Sequence, residues 1–187
     1  RDDFIPLWAA LGAAVHAHDC KYIVQLSHAG RQRDIPGVHN IRTPAPSSTN
    51  GREIVHGLRG RAMTTTEIGD VIQAFANAAW RAREAGLDGV ELHAGHGYLF
   101  SQFLSSAINN RKDHYGGSLE NRTRFLMEVI GAIRSTVGRD FQLQVKLSAV
   151  DHHNVDPTPI HKAGNTIEGT LAIAKWCEAA GVDAIHD

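Results

Sequence analysis

The sequence contains little that a metal cluster, a membrane or a nucleic acid would require. Its only two cysteines, Cys20 and Cys177, lie far apart and share no C-x-x-C spacing. That argues against an iron–sulfur or zinc-finger protein and predicts a reducing, cytoplasmic setting. No uninterrupted apolar run approaches the roughly 18 residues that span a bilayer, and no signal peptide is visible, so no membrane is expected. Lysine and arginine (19) balance aspartate and glutamate (20), which leaves no basic excess to attract nucleic acid or an anionic surface. What remains is a 187-residue chain, 42% hydrophobic, with enough apolar mass for an α/β core.

Hydrophobic periodicity divides the chain. Residues 3–18 place Phe4, Leu7, Trp8, Leu11, Ala14 and Val15 at helical spacing, which predicts a surface helix with one buried stripe. Residues 22–26 (YIVQL) are too short for a helix and rich in β-formers, so they predict a strand buried on both faces, in which Gln25 is the misfit. A stretch with Pro36, Pro44, Pro46 and many Gly, Ser, Thr and Asn residues follows over 27–65 and reads as a long loop over an active site. Thr64 and Glu67 have capping-box spacing, and Ile68, Val71, Ile72, Phe75 and Ala79 continue a helix to Gly86. A strand over 89–93 then leads into His93, His96 and Tyr98, three polar rings within six residues. Rings that donate hydrogen bonds at such a strand end suggest a site that grips an oxygen. Thereafter come a loop, a helix from Ser118 to about Val137 ending at Gly138, and an alternating strand over 141–148 (FQLQVKLS). A polar loop, a helix capped by Thr166 and stopped at Gly181, and a strand over 182–186 complete the chain.

Helices alternating with strands imply a parallel sheet, either open and doubly wound or closed into a barrel. No G-x-G-x-x-G follows a strand, and the polar face of 141–148 favours the barrel, because an open parallel sheet is apolar on both faces. Polar chemistry also gathers after strand C-termini, at 25–31, 93–98 and 146–153, where a (β/α)8 TIM barrel carries its active site. A whole barrel has eight strands and roughly 250 residues. The chain is therefore expected to supply about four central β/α units, as one partial-barrel domain over residues 1–187.

Three segments in this order, IVQLSHAGR (23–31), VELHAGHGYLFSQFLS (90–105) and NNRKDHYGGSLENRTRF (109–125), resemble the Old Yellow Enzyme family of FMN-dependent ene-reductases. The resemblance is strongest to the bacterial branch with the NADH:flavin oxidoreductases and 2,4-dienoyl-CoA reductases. It implies FMN as cofactor, NADH or NADPH as reductant, and a small enone or enoyl thioester as substrate. By resemblance, Gln25 binds the pyrimidine edge of the flavin, His93 and His96 hold the substrate carbonyl oxygen, and Tyr98 protonates the α-carbon. Lys146 stands where the family usually has arginine, near flavin N1 and O2, keeping the charge but not the planar fork. Arg111, Asp113, Tyr115, Gly116, Gly117, Asn121 and Arg122 match a signature expected to be structural, with the charged residues pairing among themselves. His28 and Arg31 either line the site or brace the loop, and His152, His153 and His161 are expected to be solvated.

Other readings of the same residues stay open. Gln25 could be satisfied by backbone, Lys146 could pair with a carboxylate, and Glu91 with His93 and His96 could hold zinc in a barrel hydrolase. The resemblance also places the family's phosphate-binding strands and its first strand outside this sequence. A non-catalytic fragment that forms a homo-oligomer through open sheet edges is therefore the second hypothesis.

Overall fold

The computed structural model describes residues 1–32, 44–52, 59–151 and 164–187. A 3-10 turn, Asp2–Phe4, leads into α1 (Ile5–His16), followed by β1 (Ile23–Leu26) and a second 3-10 turn, Gly30–Gln32. Three short strands come next, β2 (Ala45–Ser47), β3 (Gly51–Arg52) and β4 (Arg59–Ala62). Then α2 (Thr65–Glu84), β5 (Gly89–His93), α3 (Leu99–Leu104), α4 (Leu119–Val137), β6 (Gln142–Lys146), α5 (Ile167–Ala179) and β7 (Ala184–His186) follow. The main sheet has the order β1-β5-β6-β7, and every pairing in it is parallel. Strand order follows chain order with a helix between β5 and β6 and between β6 and β7, as in an arc of a β/α barrel.

The two faces of this sheet have opposite chemistry. Val90 and Leu92 on β5 and Leu143 and Val145 on β6 are fully buried beneath the helices, with Phe125, Leu126, Val129, Ile130 and Ile133 of α4 packed over them. The alternate residues, Gln25, Glu91, Gln144 and then His93, Lys146, His186, lie in register across the other face. Apolar burial under the helices stabilises the arc, and the polar face is left for chemistry.

Helix starts follow the expected caps. The Thr64 hydroxyl accepts from the Glu67 amide at 3.2 Å while the Glu67 carboxylate accepts from the Thr64 amide at 2.8 Å, a complete capping box. Ser118 and Thr166 cap α4 and α5 by their hydroxyls alone, accepting from the amides of Asn121 and Gly169.

Four expectations need correction. The span 27–65 is not structureless, since β2, β4 and β3 form a small sheet in that order within it. These strands are only two to four residues long and rich in Ser, Pro, Gly and Arg, so they give no strand signal on their own. The ends of β2 and β4 are tied together by Arg111, whose guanidinium donates to the carbonyls of the residues that follow them, Ser48 (3.0 Å) and Met63 (2.8 Å). Residues 33–43 and 53–58 of that span, and His152, His153 and His161, lie outside the described residues.

The second correction is α3, read as loop in the sequence. All six of its residues are buried, so the segment shows no amphipathic period. Third, β1 is half-buried at the edge of the described sheet and Gln25 is exposed. Finally, the buried stripe of α1 is Ile5, Trp8, Ala9 and Val15, half-buried, with Gly12 fully buried, whereas Phe4, Leu7 and Leu11 are exposed. Gly12 is where α1 approaches the core: a Cβ there would lie 2.8 Å from Leu87.

Candidate functional site at the strand C-termini

Parallel strands place all their C-termini on one rim, and the predicted site residues gather there. His93 is the last residue of β5 and is 7% exposed. His96 follows in a tight turn with φ of 59°, and Gly97 with φ of 76°, both in the left-handed region. Gly97 is required twice over, because a Cβ there would also collide with the Gln32 amide. The turn is pinned from β6, since the Ser148 hydroxyl accepts from the His96 amide at 3.1 Å and Ala94 N donates to Lys146 O at 2.8 Å. Tyr98 stands at the N-cap of α3, and its ring meets that of His93 edge-on with centroids 5.0 Å apart.

What fixes Tyr98 lies behind it. Phe100 and Phe103 of α3 insert between α2 and α4, with ring centroids 5.0 Å for Phe75–Phe100, 4.9 Å for Phe100–Phe125 and 4.7 Å for Phe103–Phe125. Gln102, fully buried, joins two loops: its amide donates to Ala29 O (3.3 Å) and Gly97 O (2.8 Å) and accepts from Arg31 N (3.2 Å). The loop after β1 is thus tied to the loop after β5. His28 takes part in this bracing, its Nδ1 accepting from Gly30 N at 3.0 Å and its carbonyl from Leu99 N at 3.0 Å.

The two histidines come together but face each other. His93 Nε2 and His96 Nδ1 are 3.2 Å apart, and His93 Nδ1 is buried with no hydrogen-bond partner among the described residues. A buried lone pair is less costly to leave unpaired than a buried N–H, so the arrangement favours a proton on His93 Nε2, donated to His96. His96 must then carry its own proton on Nε2, where it is available to a ligand. Burial lowers the pKa of His93 below the usual histidine value, helped by the neighbouring His96 and Lys146 charges. His93 is therefore a neutral donor at pH 7.

One strand residue below lies a carboxylate whose surroundings the sequence does not announce. Glu91, 5% exposed, accepts from Gln25 Nε2 at 2.5 Å, from Gln144 Nε2, and from His186 Nδ1 at 2.8 Å. His186 Nε2 in turn accepts from the Lys146 ammonium at 3.0 Å. Burial alone would raise the Glu91 carboxyl, but the donors from Gln25, His186 and Gln144 outweigh it and hold the pKa below the ordinary glutamate value. Gln25 is thus partnered by a carboxylate rather than by backbone, and Lys146 by an imidazole. Among the described residues no group of three His, Cys, Asp or Glu side chains converges to hold a metal.

The donor set suits the polar edge of a flavin. Gln25 spends its NH2 group on Glu91 and keeps its carbonyl oxygen as an acceptor, while Lys146 keeps ammonium hydrogens beyond the one given to His186. An acceptor and a cation on one face match a pyrimidine N–H beside a carbonyl oxygen. Gln144, His186 and Gln102 were not singled out as binding residues by sequence reasoning, and Glu91 entered it only as a possible zinc ligand. The period-2 alternation of β6 does point to Gln144, whereas the convergence on Glu91 needs strands far apart in sequence.

Residues 109–124 form a structural knot beside the rim. Arg111 pairs with Asp113 at 2.6 Å, the Tyr115 hydroxyl donates to Glu128 at 2.7 Å, and Arg122 donates to the carbonyls of Leu104 (2.8 Å) and Gly117 (2.6 Å). The charged residues therefore bind backbone as much as one another.

Comparison with known proteins agrees with this architecture. The family model described as NADH:flavin oxidoreductase / NADH oxidase family matches residues 1–184. An NADH oxidase of Thermoanaerobacter brockii is 39% identical over 186 residues, covering 99% of this chain and 27% of the relative. An NADPH dehydrogenase of Geobacillus sp. (strain WCH70) is 39% identical over 184 residues, covering 98% and 49%. The chain thus spans about a quarter to a half of the length of these relatives. Among solved structures, a 2-naphthoyl-CoA reductase in complex with 2-naphthoyl-CoA superposes with a TM-score of 0.84 at 33% identity, over 100% of this chain and 29% of that one. The old yellow enzyme homologue of Zymomonas mobilis gives 0.79 at 25% identity, over 97% and 51%. Morphinone reductase in complex with tetrahydroNAD gives 0.78 at 27% identity, over 96% and 52%. With four parallel strands in barrel order and polar rings at their C-terminal rim, the chain is part of a TIM barrel and belongs to the NADH:flavin oxidoreductase / NADH oxidase family, that of the old yellow enzymes.

Proposed function

We propose that this chain forms the substrate-facing part of an FMN-dependent, NAD(P)H-driven reductase of activated C=C bonds. The observation that carries the reading is the juxtaposition of a buried, neutral His93, the adjoining His96 and Tyr98 at the strand rim, next to Lys146. FMN bound there would supply hydride transfer from NAD(P)H to the β-carbon of the substrate.

The protein's own residues do the rest. Gln25, through its carbonyl oxygen, and Lys146, through its ammonium, hold the polar edge of the cofactor. His93 and His96 bind the substrate carbonyl oxygen, which takes the place of His96 Nδ1 as acceptor for the His93 Nε2–H. Donors fixed before reaction stabilise the negative charge that gathers on this oxygen as the β-carbon is reduced. Tyr98 supplies the proton to the α-carbon, and its ring is held against His93 by the packing of α3. One relative, a reductase in complex with the thioester 2-naphthoyl-CoA, supports the substrate class, and another, in complex with tetrahydroNAD, supports a nicotinamide reductant.

The test is Tyr98→Phe in the full-length protein, assayed separately for flavin reduction by NAD(P)H and for enone reduction. Flavin content and its reduction rate are expected to stay unchanged while enone turnover falls by about 10^2- to 10^4-fold, the usual contribution of a positioned general acid. Undiminished enone turnover with flavin bound would remove Tyr98 from the mechanism.

A further inference from the structure

Glu91 lies on the inner face, where one residue assigned to the cofactor, Gln25, donates to it directly and the other, Lys146, reaches it through His186. Gln25, Glu91 and Gln144 are register partners on β1, β5 and β6. Three donors converge on the one carboxylate: Gln25 Nε2 at 2.5 Å, Gln144 Nε2, and His186 Nδ1 at 2.8 Å. A carboxylate accepts only, so each partner's orientation is dictated. The Gln25 amide must turn its NH2 inward and its oxygen away. His186 must carry its proton on Nδ1, which leaves Nε2 to accept from Lys146 at 3.0 Å. A charge this buried is retained only with such partners.

We infer that Glu91 is a positioning residue for the cofactor edge, setting the amide orientation of Gln25 directly and the seat of the Lys146 ammonium through His186. The inference rests on the flavin reading above and adds to it a residue that touches neither cofactor nor substrate. It also accounts for the lysine at position 146. A lysine lacks the fixed fork of arginine, and the held imidazole supplies the direction that the flexible side chain does not have.

Glu91→Gln is isosteric but brings an NH2 group to a point where three donors meet. One of them loses its acceptor. The least costly relief is a flip of the exposed Gln25 amide, which then offers N–H groups to an edge that needs an acceptor.

The experiment is a fluorescence titration of the flavin-free, full-length protein with FMN, for the unaltered protein, Glu91→Gln, Gln25→Leu and the double variant, with urea unfolding midpoints measured in parallel. Each single change is expected to weaken FMN binding about tenfold, the worth of one hydrogen bond. In the double variant the part of the Glu91 loss that runs through Gln25 should disappear, so the combined loss should fall short of the product of the two single losses. A purely structural acid would lower the unfolding midpoint without this coupling. Unchanged FMN affinity in Glu91→Gln, or losses that multiply in the double variant, would overturn the inference. A second measurement uses only the unaltered protein without flavin: 15N shifts of His186 should show a protonated Nδ1 and a bare Nε2, and the opposite tautomer would overturn the inference. If the unaltered protein takes up no FMN, the flavin reading fails by itself, and the tautomer still decides whether Glu91 organises this face.

Discussion

Replacing Phe100 by alanine tests whether α3, and with it Tyr98, is held by the aromatic cluster. Phe100 is 1% exposed, and its ring lies 5.0 Å from that of Phe75 on α2 and 4.9 Å from that of Phe125 on α4. Truncation of a fully buried phenylalanine costs about 3–5 kcal/mol, the sum of lost transfer energy and the cavity left behind. Collapse is restricted here because helices on two sides are bound to the sheet by Ile68, Phe75, Val129, Ile130 and Ile133. The cost should therefore be near 4 kcal/mol, about a thousandfold in the folding equilibrium. In urea, with a slope of about 2 kcal/mol per molar, the midpoint would fall by about 2 M. Phe4→Ala is the control: that ring is 48% exposed, and the change should stay within about 0.5 kcal/mol. A loss below about 1 kcal/mol for Phe100→Ala would refute the idea that the cluster anchors α3.

Two further outcomes are expected. Although burial opposes it, the pKa of the Asp88 carboxyl is held down to about 2 by the Tyr22 amide (2.7 Å), His16 (2.7 Å) and Lys21 (3.0 Å). A depressed carboxyl pKa adds stability above its unfolded value and loses it as pH falls toward the folded value. Asp88→Asn should accordingly cost about 1–2 kcal/mol at pH 7 after solvent screening, a difference that shrinks to nothing as pH drops from about 5 to 2. Equal stabilities at pH 7 in thermal unfolding would contradict this. Burial pushes the Cys177 thiol up to about 12, whereas Cys20 is exposed. A thiol reagent should titrate one cysteine in the folded protein and both in denaturant, and rapid labelling of both without denaturant would show that α5 opens.

The fold was legible wherever one segment carried its own signal. The capping box at Thr64 and Glu67, the caps at Ser118 and Thr166 and the alternation of FQLQVKLS are local, and each is found in place. So is the placement of His93, His96, Tyr98 and Lys146 at one rim, because parallel β/α units put every strand C-terminus on the same side. Segments whose structure is imposed from elsewhere were not legible. LFSQFL is a helix because the core surrounds it on all sides, which removes the polar face that would have revealed it. The small sheet β2-β4-β3 has little β-propensity of its own and is braced by Arg111, far along the chain, at the residues that follow β2 and β4.

By itself the sequence determined the alternation of helices and strands, the polar inner face and the identity of the rings at its rim, since these follow from local spacing and from the direction of each strand. Only the tertiary structure decided how those polar groups are spent: His93 on His96, Gln25 and His186 on Glu91, and Lys146 on His186. Hydrogen-bond direction is a property of pairs, and apart from the neighbouring His93 and His96 the partners here come from strands separated by 40 to 95 residues, brought into register only when the sheet forms.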